Sequence, residues 1–225
     1  MARKPRTKRP RRAAKAAGAG ARTRRSGAGT AGASGGDARS RIVAAALKLA
    51  AERRWCAVTL GDIAKAARMP IAELLAALPS KLAILAELQR QTDRIALGGD
   101  PAEGDARERL FELLMRRFDA LAPHRAGLRS IARAAPADPL GTACAYGQLL
   151  HSMRLMLAGA GLPADGLAGM MAAPAVAGIY LSVMPIFLAE EATDQARTMA
   201  ALDRRLRRLD QAAGWLKARM PRRAA

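Results

Sequence analysis

Two short patterns in this chain have the residue types and spacing for a definite chemistry. Thr59 and Asp62, three residues apart, can exchange side-chain and backbone hydrogen bonds at the start of a helix. Ser80 repeats the motif of a hydroxyl at a helix N-terminus, with the cation of Lys81 beside it. Free amides and the helix dipole at such ends favour anions, and Lys81 adds a point charge. The chemistry implied is the holding of anions. Nothing comparable suggests bond making. His124 and His151 stand without a carboxylate or thiol at ligand spacing, and Cys56 and Cys144 lie far apart with no CxxC pattern. Ser/His/Asp sets, paired carboxylates and phosphate-binding glycine loops are missing from the sequence. The expectation is a protein with no catalytic residue, no metal and no cofactor.

These patterns need helices to position them, and the composition supplies helix formers. The 225 residues are 51% hydrophobic but only 3% aromatic, so Ala, Leu and Met must build the core and the fold class expected is all-α. The formal charge of +19 is unevenly spread: residues 1–36 hold eleven Lys and Arg and no acid, leaving +8 for residues 37–225. Such an excess attracts nucleic acid or anionic lipid and says nothing of fold. After Met1 the 1–36 stretch has no Leu, Ile, Val or aromatic residue to offset the entropy of ordering it, so a disordered basic tail is expected there. Its positive charge is followed by no apolar h-region, which argues against an ordinary secretory signal, and it lacks the Leu-bearing pattern of a transit peptide. The unpaired cysteines fit a reducing cytoplasm.

From Asp37 onward, Ile42, Val43, Ala46, Leu49 and Ala50 recur at helical spacing, predicting a first helix that starts near Asp37 or Ser40. Thr59 opens a second helix with Leu60, Ile63, Ala64 and Ala67 on its buried stripe. Arg68-Met69-Pro70 breaks it, and Ile71 to Leu78 forms another of barely two turns, ended by Pro79. Ser80 then caps a longer helix that Gly98-Gly99-Asp100-Pro101 terminates. Further helical stretches follow at about 105–122, 124–135, 139–160, 166–189 and 194–217. This divides the chain into the tail at 1–36, a head at 37–98 with a helix-turn-helix at about 59–78, and a helical body at 105–217.

Residues 40–88, and within them "VTLGDIAKAA" followed by "LPSKLAIL", resemble the DNA-binding head of the TetR family of transcriptional regulators. The resemblance implies an N-terminal three-helix head and a C-terminal helical domain for ligand binding and dimerisation. It further implies a cytoplasmic homodimer that binds double-stranded DNA. Helix 71–78 would enter the major groove, Thr59 and Lys81 would hold phosphates, and the first helix would touch the backbone. The residues placed at DNA on this basis are Arg41, Thr59, Arg68, Ile71, Glu73, Leu75, Ser80 and Lys81, with Arg9, Arg11 and Arg12 of the tail. Those tail residues can track phosphates or enter an AT-rich minor groove; a solubilising tail that adheres without reading sequence is the alternative.

The departures from the family pattern carry information. Arg54 and Arg68 stand where the family usually has Gly, so a left-handed backbone there costs about 1 kcal/mol each. Leu75, Ala77 and Leu78 replace the usual Tyr and its aromatic or His neighbours. Guanine readout wants Arg or Lys and adenine readout wants Asn or Gln, but this helix offers only Glu73 for cytosine and apolar groups for thymine methyls.

The body offers three further candidates. Residues 166–189 run 24 positions without a charge, long enough to cross a bilayer. Gly, Ala, Pro174 and Pro185 dilute the segment, and acids flank it. A buried central or dimer-face helix is therefore expected, and no stable membrane span. Met153, Met156, Met170, Tyr180 and Met184 can line an apolar pocket for a small molecule or lipid, against the simpler reading of core packing. The last helix sets Met199, Leu202, Leu206, Leu209 and Leu216 opposite Arg204, Arg205, Arg207 and Arg208, a pattern suited to a dimer bundle or an anionic membrane. Its "TMAALDRRLRRLD" also resembles ubiquinone-biosynthesis accessory proteins that reuse a TetR-like fold to hold lipid. That likeness implies an alternative role without sequence-specific DNA binding.

Overall fold

A computed structural model describes Met1 and residues 28–100, 103–191 and 194–219, with side chains placed for 36–212 apart from those gaps. Arg9, Arg11 and Arg12 lie outside the described residues. The described elements are helical, with no strand among them: α1 Ala28–Glu52, α2 Leu60–Ala66, α3 Ile71–Ala77, α4 Lys81–Leu97, α5 Ala106–Leu121, α6 Arg125–Ala134, α7 Pro139–Gly159, α8 Gly166–Ala189 and α9 Ala196–Arg219. The helices of the body fall within about two residues of the stretches expected from periodicity. At the other end α1 begins at Ala28, upstream of Asp37, so the last part of the stretch expected to be disordered is helical. Extending a helix already nucleated costs far less than starting one. Ser40, near the expected start, therefore lies inside the helix, its hydroxyl donating to the Gly36 carbonyl at 3.1 Å.

Two apolar cores result. In the head, Ile42, Val43, Ala46, Leu47 and Ala50 of α1 meet Ile63 and Ala64 of α2, Leu74 of α3, Leu78 and Ile84, all buried. In the body, Leu110, Leu113, Leu114 and Phe118 of α5 pack with Met153 and Met156 of α7, Val176, Ala177, Tyr180 and Phe187 of α8, and Leu202 and Leu206 of α9. Leu88 of α4 and Leu128 of α6 pack against both cores. The α6 rod comes so close to α1 that a Cβ on Gly127 would lie 2.4 Å from the Leu47 carbonyl oxygen, a contact only glycine permits.

Charges sit inside the body as well. Arg117 is fully buried and pairs with Asp93 of α4, whose other oxygen accepts from the Ser152 hydroxyl at 2.6 Å. The same guanidinium donates to Gln89 at 2.6 Å and lies 5.3 Å from the centre of the Tyr180 ring. Tyr180 stacks on Phe118 at 4.7 Å, Phe118 meets Phe187 at 4.9 Å, and Arg125 covers Phe187 at 4.6 Å. An arginine therefore closes each end of a three-ring stack running from α4 toward α6. Glu190, buried where α8 ends, accepts from the Arg197 and Thr198 amides at 2.8 and 3.0 Å and fixes the entry to α9.

The uncharged helix α8 is long and apolar enough to cross a membrane by length and composition. Here it packs one face between α7 and α9 and leaves the other open. Gly169, Ala173, Val176, Ala177, Tyr180, Val183 and Phe187 make the buried face. Leu167, Met170, Met171 and Leu181 are exposed, together with Pro174 and Pro185. Helical periodicity separates the two sets, and the prolines fall on the side away from the core.

Candidate nucleic-acid interface

The head is organised around the turn between α2 and α3. Thr59 caps α2 with a full capping box: its hydroxyl accepts from the Asp62 amide at 3.1 Å, and the Asp62 carboxylate accepts from the Thr59 amide at 3.0 Å. The Thr59 hydroxyl proton also goes to Asp62, at 2.8 Å. These bonds from Thr59, then Arg53 at 3.3 Å, hold the Asp62 carboxyl below its ordinary value of 3.8. The first anion-favouring end is therefore already occupied by the chain's own carboxylate.

At the far end of α2 the Arg68 amide reaches the Lys65 carbonyl at 3.1 Å and the Met69 amide reaches the Ala64 carbonyl at 3.1 Å. This closure puts Arg68 at φ 54°, the left-handed region expected from its place in the pattern. Arg54 does not follow: its φ is −58°, and the 3-10 turn Trp55–Ala57 carries the chain round instead. That turn is pinned from the body side, because the Ser130 hydroxyl accepts from the Trp55 amide at 3.0 Å and donates to the Arg53 carbonyl at 3.2 Å.

Pro70 then opens α3 with no side-chain cap. Leu74 is fully buried and anchors the helix, while Met69 and Leu78 bury its two ends. Its remaining positions face outward. Ile71 and Leu75 are 44% and 42% exposed, and Ala72, Glu73 and Ala76 are exposed too. Glu73 stands on a flank of this face. With Ala76 and Ala77 it borders a cleft of about 1210 Å³ that also takes in Arg39 and Arg41 of α1, Arg90 and Arg94 of α4, and His151 of α7. The outer ridge of α3, away from that cleft, is wholly apolar.

Ser80 caps α4, its hydroxyl accepting from the Ala83 amide at 3.1 Å. Lys81 is only partly available to a ligand: its ammonium donates to the Trp55 carbonyl at 2.8 Å, and burial lowers its pKa below 10.5. Arg41 is exposed on α1 with Asp37 at 3.7 Å, and Arg68 and Lys65 are exposed beside the turn. Thr59, Arg68, Ile71, Glu73, Leu75, Ser80, Lys81 and Arg41 thus all belong to the head. Arg53 joins them through Asp62, a role that the sequence spacing does not announce.

The residues considered for a ligand pocket separate. Met153, Met156 and Tyr180 are buried in the body core, Met184 is half-buried, and Met170 is 55% exposed on the open face of α8. Within that core the polar groups at Arg117, Asp93, Gln89 and Ser152 were not anticipated. A signal exists: Arg117 falls on the stripe of Leu110, Leu113, Leu114, Phe118 and Leu121, where a charge is out of place.

No protein-family model and no curated protein matches the sequence. Solved structures do match. The TetR transcriptional regulator from Nitrosomonas europaea ATCC 19718 superposes with a TM-score of 0.63 at 22% identity, over 77% of this chain and 98% of its own. A TetR transcriptional regulator from Rhodococcus sp. RHA1 gives 0.57 at 20% identity, over 77% and 96%. A TetR-family transcriptional regulator from Streptomyces coelicolor gives 0.50 at 19% identity, over 77% and 84%. With a capped α2, a left-handed turn and a short α3 leading through α4 into a body of five helices, α5–α9, among the described residues, the chain has the fold of the TetR transcriptional regulators.

Proposed function

We propose that this protein is a DNA-binding transcriptional regulator of the TetR type, acting in the cytoplasm and not an enzyme. The observation that carries the reading is α3 itself. It is a short helix held from beneath by Leu74, with its outer face free, in a fold shared with solved TetR regulators. The head as a whole is cationic: residues 37–98 contain ten Lys and Arg against six Asp and Glu. Arg41, Arg68, Ser80 and Lys81 supply phosphate contacts, Thr59 being engaged by Asp62, and the tail with Arg9, Arg11 and Arg12 adds affinity that falls steeply with salt.

The same reading makes the protein a homodimer. Leu167, Met170, Met171 and Leu181 are exposed on α8 and Met199 on the neighbouring α9, and two such helix pairs can form a four-helix interface. Control by an apolar small molecule follows as the finer part of the proposal, with Met153, Met156 and Met184 moving to admit it.

The test is recovery of genomic fragments by the full-length chain at physiological salt against excess competitor DNA. Enrichment of discrete sites is expected. Uniform recovery would remove the regulator reading and favour a lipid-holding role, for which the open apolar face of α8 is the supporting observation. Sedimentation of the pure protein should show a dimer, and Met170→Glu with Leu181→Glu should yield monomer.

A further inference from the structure

We infer that α3 recognises its DNA through the 5-methyl groups of thymine, a conclusion that rests on the regulator reading above. The side chains of α3 leave little else. A base edge is read by hydrogen bonds or by apolar contact, and the outer ridge of α3 carries Ile71, Ala72 and Leu75 with no donor or acceptor. Guanine and adenine offer acceptors and an amine in the major groove that none of these can meet. The thymine methyl is the one apolar feature exposed there.

Exposure and charge select this occupant over other apolar partners. Ile71 and Leu75 are one turn apart and 44% and 42% exposed, so together they offer a patch of one helical turn rather than a broad docking surface. Lys65 and Arg68, just ahead of it in the chain at the end of α2, are exposed, and Arg39 and Arg41 line the cleft on the other flank of α3 with Glu73. A small apolar patch on a head with an excess of cations matches a major groove, in which methyl groups lie between two rows of phosphates. Glu73, on the flank, is left to accept from a cytosine amine beside the methyl track and repels phosphate elsewhere.

The consequence is a site defined by where thymines sit rather than by a purine code. The most strongly enriched genomic site would be synthesised twice, once with thymine and once with deoxyuridine at the major-groove positions facing α3. Deoxyuridine keeps every hydrogen bond and removes only the methyl. Affinity of the full-length chain should drop about fourfold for each methyl lost, the factor expected for taking one methylene-sized group out of water. Leu75→Ser, at an exposed position, should lose the part of the difference that Leu75 contributes while keeping its salt dependence. Ile71→Thr, which retains one methyl, should show a partial difference. Equal binding of thymine and deoxyuridine sites by the unaltered protein overturns the inference and leaves the regulator reading intact. Failure to enrich any site removes both.

Discussion

The ammonium of Lys81 donates a 2.8 Å hydrogen bond to the carbonyl of Trp55 and stands 4.8 Å from the centre of that indole ring. The first residue of α4 is thereby tied to the turn that follows α1, across the head. Lys81→Met keeps the aliphatic stem but removes both interactions. Urea unfolding should show a loss of about 2–4 kcal/mol, the sum of one charge-assisted bond and a partly exposed cation–π contact. DNA binding should weaken in parallel, with the salt slope smaller by about one ion.

Arg68 and Arg54 each stand at a position where a left-handed backbone was expected but differ in conformation, φ 54° against −58°. Arg68→Gly should therefore stabilise the head by about 1 kcal/mol through relief of the left-handed penalty. Arg54→Gly should instead destabilise it by about 0.5–1 kcal/mol, since it only adds freedom to the unfolded chain. Paired denaturation curves at constant salt separate the two. Equal effects would mean that the turn does not hold Arg68 as described.

Asp62 gives the head an acid sensitivity. Its folded carboxyl is held below 3.8, chiefly by the Thr59 amide and hydroxyl, so its stabilisation is complete above the unfolded value. It is lost as pH falls through the lowered folded value. Asp62→Asn should lower the melting temperature near pH 7 and have little effect near pH 2, so the two melting curves converge on acidification. A constant gap across that range would show that the carboxylate charge plays no part.

Arg117 and Asp93 form a buried pair with Ser152 and Gln89 as further partners. Arg117→Met strands a buried carboxylate and should cost about 3–5 kcal/mol. Adding Asp93→Leu removes that stranded charge, so the double variant should recover most of the loss. Equilibrium unfolding of all four proteins gives the coupling directly; additive losses would indicate that the two charges do not depend on each other.

Much of the head was legible because its signals are local. Thr59-x-x-Asp62, Pro70, Pro79 and Ser80 act on the backbone within one turn of themselves, and the structure places a helix end at each. Arg68 shows the same, since a left-handed residue after Ala67 closes α2 whatever lies elsewhere. Contacts across the fold were not legible in this way. Lys81 reaches Trp55 from 26 positions away and Arg117 reaches Gln89 from 28, and no spacing rule predicts either. The methionines mark the limit of composition: Met153 and Met170 are the same residue type on neighbouring helices, yet one is fully buried and the other 55% exposed. Which face of α8 turns inward decides that, and an uncharged helix carries no polar stripe to announce it.

Leu88 and Leu128 each touch both cores. Side chains shared in this way make the head and the body a single cooperative melting unit rather than two beads on a string. Heating should give one calorimetric transition, and fraying of the head should be seen only at amides above these leucines. Any perturbation that loosens the packing of α5, α7 or α8 around α4 is then paid in the ordering of the helix-turn-helix as well, without a dedicated relay of residues between them.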